Sequence, residues 1–172
     1  MLRNNLNNTR ILILASLFTA LGIVLYIVES LFPVLIPLAG AKLGLANIIT
    51  LLSLQLFTPL LTLTILILRV FIASLIGGTF LSLSFYLSLS GAMLSFLVML
   101  FAFKSKFFNI FTVSILGAAA HSLGQIFCIY FLLDNINIAY YLPILLLVSI
   151  PLGFFTGILA NNLHPYLKKF QK

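Results

Sequence analysis

Residues 60–76 read LLTLTILILRVFIASLI, seventeen positions that hold a single charged side chain, Arg69. At a helical rise of 1.5 Å per residue such a run covers about 26 Å, close to the roughly 30 Å hydrocarbon core of a bilayer. A barrel strand needs only about 9–11 residues, so a run of this length is read as a helix that spans a membrane and satisfies its own backbone hydrogen bonds. Its ends are punctuated by Thr58-Pro59 before and Gly77-Gly78 after, residues that start and stop helices.

The same pattern recurs along the chain. Apolar runs and breakers place spans at roughly 11–29, 42–57, 60–76, 81–103, 108–133 and 140–164. The expected fold is therefore an all-α integral membrane protein, one bundle of six transmembrane helices occupying residues 1–172 as a single domain. Composition agrees: 63% of the residues are hydrophobic and 6% charged, against about 25% charged in soluble domains. The first run follows a basic start, but it shows no small-x-small cleavage site before Glu29 and five apolar runs follow it, so it reads as a span and not as a signal peptide.

The net charge of +7 would point to nucleic acid in a soluble domain. Here the basic residues flank the apolar runs: Arg3 and Arg10 before the first, Lys104 and Lys106 after the fourth, Lys168, Lys169 and Lys172 after the sixth. By the positive-inside rule both termini and the 104–107 loop face the cytoplasm, and no nucleic-acid partner is expected. Glu29 and Asp134, the two acids of the chain, then fall on the outer side. Cys128 has no partner cysteine and reads as packing.

An ionised side chain near the bilayer centre costs roughly 2.5–3.5 kcal/mol on insertion scales, so polar residues inside spans mark either function or pairing. Arg69 lies ~14 Å into the third span and His121 ~20 Å into the fifth, both measured from the cytoplasmic side. Gln125 is one turn beyond His121 on the same face, with Gly117 one turn below leaving room for a neighbour. Lys42 and Asn47 open the second span at its outer end, in the segment AGAKLGLANIITLL of residues 39–52. Glu29, Lys42, Asn47, Arg69, His121 and Gln125 are the candidate substrate-binding residues of one pocket in the outer half. Two cations against one acid favour an anionic or amphipathic guest. The competing reading is structural, in which Glu29 neutralises Lys42 or Arg69, and His121 with Gln125 ties helices together.

Several chemistries are excluded by what is missing. Magnesium-dependent prenyl or phosphoryl transfer needs clustered carboxylates, and the two acids stand about a hundred residues apart. There is no GxxxxGK[ST] phosphate loop for ATP hydrolysis and no GxSxG elbow. No catalytic residue, no metal site and no cofactor are expected. In the first span Ala15, Ser16, Thr19 and Ala20 place small residues four apart, a flat strip against which a partner helix can dock.

Glu29-Ser30 before a proline-containing loop, the segment from Gly40 to Asn47, Leu68-Arg69-Val70 and the segment GAAAHSLGQ of residues 117–125 resemble the family called Gx transporters, also labelled heptaprenyl diphosphate synthase component I. The resemblance covers nearly the whole chain. That family is similar to the substrate-binding S components of energy-coupling factor (ECF) transporters, six-helix proteins that capture a ligand from outside and dock on a shared ATPase module. The resemblance implies a multi-pass protein of the bacterial plasma membrane, not an enzyme, with the Ala15–Ala20 strip as docking surface, although Ser16 and Thr19 stand where alanines are typical. Relatives are also associated with prenyl-quinone biosynthesis and flavin-based extracellular electron transfer, which implies the alternative of a non-catalytic membrane scaffold. The resemblance does not supply the ligand.

Overall fold

A computed structural model describes residues 8–31, 45–105, 107–133, 140 and 142–169. These contain six helices and no strand: α1 (Asn8–Leu31), α2 (Asn47–Leu56), α3 (Pro59–Ile76), α4 (Leu83–Ser105), α5 (Ile110–Leu133) and α6 (Leu142–Lys169). Five are long and apolar enough to cross a membrane, and the chain is an all-α, multi-pass membrane protein. Lys42 and Asp134 lie outside the described residues.

Local chemistry sets the helix ends. Thr58 accepts a hydrogen bond on its hydroxyl from the Leu61 amide at 3.4 Å, and Pro59 supplies a preset φ at the first helical position of α3. Asn109 does the same for α5, its Oδ1 accepting from the Thr112 amide at 2.8 Å. The α3–α4 turn uses Gly78 at φ +65° and, unusually for a branched residue, Leu81 at φ 59°. In α6, Pro151 lies inside the helix and has no N–H to offer the carbonyl four residues back. That helix nonetheless continues to Lys169, beyond the expected end at 164.

The second helix departs from the sequence expectation. A span over 42–57 would cover about 24 Å, but α2 has ten residues and covers about 15 Å, half a hydrocarbon core. Leu45 and Ala46 form a turn where helix was expected.

The long helices follow one another in the neighbour order α1, α3, α4, α5, α6, and α2 touches all five. Eight of its ten residues are buried. Close helix approach depends on glycine: a Cβ on Gly124 would lie 2.9 Å from Gly91 Cα on α4, and one on Gly153 would lie 2.7 Å from Ile115 Cα on α5. Across the α5–α6 seam the Ser114 and Thr156 hydroxyls are hydrogen-bonded at 2.8 Å. Leu51, Leu66, Leu87, Met99 and Ile129 form the tightest part of the interior, while Phe101, Phe131 and Leu147 on the outer faces are about two-thirds exposed, as lipid-facing residues are.

Candidate functional site at the mouth of the short helix

Arg69 sits in α3, only 2% exposed. Its Nη2 donates to the Thr50 hydroxyl on α2 at 3.2 Å, while its Nε has no hydrogen-bond partner. The aliphatic stem lies against the backbone of Gly22 in α1, where an added Cβ would approach Arg69 Cδ to 2.9 Å. Glu29 and Tyr26, one turn apart on α1, are close enough to interact electrostatically with the guanidinium. A buried arginine is thus held by three elements: packing from α1, a hydroxyl from α2 and its own helix.

Asn47 is the first residue of α2 and is buried, yet neither Nδ2 nor Oδ1 has a hydrogen-bond partner. Tyr26 donates to Ser88 Oγ on α4 at 3.2 Å, and Ser88 passes its own proton to the Ser84 carbonyl at 2.8 Å. His121 of α5 lies over Gly91, whose missing side chain makes the space: a Cβ there would meet the His121 ring at 2.9 Å. Gln125 Nε2 and His121 Nε2 are 3.2 Å apart. The contact ties the imidazole to the carboxamide one turn further along α5. Gln125 is fully buried and its Oε1 has no partner.

These side chains meet. Tyr26 and Glu29 of α1, Asn47 of α2, Arg69 of α3, Ser88 of α4 and His121 of α5 line one cleft, at the end of the bundle where α1 finishes and α2 begins. The free space inside is about that of one water molecule. Of the six candidates, Glu29, Asn47, Arg69 and His121 share this cleft, Gln125 stands behind His121, and Lys42 lies outside the described residues. The strip on α1 divides: Ala15 and Thr19 are buried in the bundle, with Thr19 bonding its hydroxyl to the Ala15 carbonyl at 2.8 Å, while Ser16 and Ala20 face outward.

Sequence reasoning missed Tyr26, Thr50 and Ser88, and the two glycines, Gly22 and Gly91, that make room for Arg69 and His121. Gly22 gave a signal, being an isolated glycine in an otherwise apolar run. Among the described residues no three His, Cys, Asp or Glu side chains gather where they could hold a metal ion.

The sequence profile of the family described as Heptaprenyl diphosphate synthase component I matches residues 18–163, from α1 into α6. The chain belongs to that family. The matched region takes in all the cleft residues. No curated protein and no solved structure matches the chain. As a member of the Heptaprenyl diphosphate synthase component I family it carries a description that names a component of a synthase, and the cleft it builds joins hydrogen-bonding groups to an apolar surround.

Proposed function

We propose that this protein is a non-enzymatic, membrane-embedded substrate-binding protein, similar to the S component of an ECF transporter, that captures a small anionic or amphipathic metabolite from the outer side. The observation that carries the reading is a buried arginine and a buried asparagine on one cleft, both with unpartnered polar atoms. Leaving such groups unsatisfied costs about 1–3 kcal/mol each, and a ligand that pairs with them recovers that cost. Arg69, joined by Lys42, supplies cationic donors to the guest's acceptor groups. Asn47 and His121 orient it, and Gln125 fixes the imidazole. The chain sits in the bacterial plasma membrane with both termini cytoplasmic, which puts the cleft at the outer face.

The chain carries no GxxxxGK[ST] phosphate loop, and in this reading a partner ATPase module supplies the energy that moves the guest. The outward-facing Ser16 and Ala20 on α1 give that module a flat surface. A second reading is a non-catalytic scaffold linked to prenyl-quinone biosynthesis or flavin-based electron transfer, favoured by the family's description and by a cleft no larger than one water. Copurification from the native membrane separates the two. An ATPase module in the eluate supports capture and transport, and a prenyl synthase or redox protein in its place supports the scaffold.

A further inference from the structure

Asn47 narrows the kind of group the cleft accepts. Its carboxamide leaves a donor, Nδ2, and an acceptor, Oδ1, both buried and unpartnered, beside Arg69 with its Nε donor open. A bare carboxylate or phosphate offers only acceptors. It would serve Nδ2 and Nε, leave Oδ1 facing a second acceptor, and bring net charge to a lining in which Arg69 and Glu29 already oppose each other. A group with an N–H next to a carbonyl satisfies all three atoms at once.

We infer that the buried end of the ligand is a neutral amide, imide or ureide edge, hydrogen-bonded in both directions by Asn47, with its carbonyl shared by Arg69. This inference rests on the capture reading and specifies the group that enters first; any acidic part of the guest then lies toward the open end. The free space beside Asn47 is about that of one water, so only the polar edge of the guest reaches it and the remainder lies toward the open end.

The test is thermal unfolding of the full-length protein in lipid nanodiscs with four small probes: succinimide and acetamide, which carry the donor–acceptor edge, and acetate and inorganic phosphate, which do not. Succinimide and acetamide should raise the melting temperature in a concentration-dependent way, and the two anions should not. Asn47→Leu should weaken the effect at least tenfold, and so should Asn47→Asp, which keeps the shape but removes the donor; size-exclusion profiles of both variants check their folding. Protection by acetate or phosphate alone overturns the inference and leaves capture standing. Protection by none of the probes, or imide protection unchanged in Asn47→Leu, overturns the inference as well. The capture reading is judged separately, by whether the parent protein retains any small molecule from its own cells.

Discussion

Arg69 and Gly22 are in direct contact across α3 and α1, with the position of a Cβ on Gly22 falling 2.9 Å from Arg69 Cδ and 3.5 Å from Arg69 Cβ. The glycine is what lets a long cationic side chain lie flat inside the bundle, and Thr50 then fixes its far end from α2. The site is thus positioned by a missing side chain as much as by the polar ones.

Gly22→Ala should therefore separate stability from binding. Alanine gains about 1 kcal/mol of helix propensity, which offsets much of the cost of moving the arginine stem. The melting temperature should shift by only a few degrees, roughly the effect of 1 kcal/mol in a chain of this size, while retention of the bound metabolite falls. Thermal unfolding and quantitative mass spectrometry on one preparation read both.

Arg69→Lys keeps the charge and loses the planar fork. A lysine cannot serve Thr50 and a ligand with the same geometry, so binding should weaken by about tenfold or more with the fold retained. Thr50→Val, close to isosteric, removes the Nη2 acceptor and should cost about 1–3 kcal/mol in stability. Ligand titration followed by unfolding in the same nanodiscs checks the pair.

Glycines at helix crossings should respond differently from glycines in turns. Gly124→Ala drives a Cβ to 2.7 Å from the Ser90 carbonyl oxygen and 2.9 Å from Gly91 Cα, both backbone atoms that cannot step aside. It should destabilise by about 1–3 kcal/mol. Gly78→Ala meets nothing within 4 Å and bears only the strain of its positive φ, about 1–2 kcal/mol. The discriminating observation is where the damage falls: Gly124→Ala should disturb the His121 ring and ligand binding, and Gly78→Ala should leave binding intact.

The Ser114–Thr156 hydrogen bond across α5 and α6 should show a coupling of about 0.6 kcal/mol, and no more than about 1.7, in a double-mutant cycle with alanine at both positions. Reversible unfolding of the four proteins supplies it. A coupling indistinguishable from zero would mean that close packing at Gly153 and Gly157, and not this hydrogen bond, holds the seam here.

Hydropathy made the long helices readable, because a run such as residues 60–76 has one solution in a bilayer and its Thr58-Pro59 start is a local signal. It misjudged the second helix, where an apolar run continues upstream of Asn47 although the helix begins there. Polarity and depth marked Glu29, Asn47, Arg69 and His121 as candidates for one pocket, but which helix faces bring them together was not legible. Lipid-facing and interior faces are equally apolar in these helices, so Leu147 outside and Leu145 inside look alike in the sequence. Hydroxyl groups gave little help for a related reason. Ser16, Thr19 and Thr64 all turn back to carbonyls one turn earlier, so Thr50 and Ser88, which reach or receive another helix, cannot be told from them by type.

The most direct test of the central claim is mass spectrometry of the small molecules released after gentle purification from native membranes, with an Arg69→Ala variant prepared in parallel and its folding checked by size exclusion. The account predicts a defined anionic or amphipathic metabolite in stoichiometric amount with the parent and its absence from the variant. Phospholipid or quinone alone, equal in both preparations, would contradict capture and leave the buried arginine with a structural role.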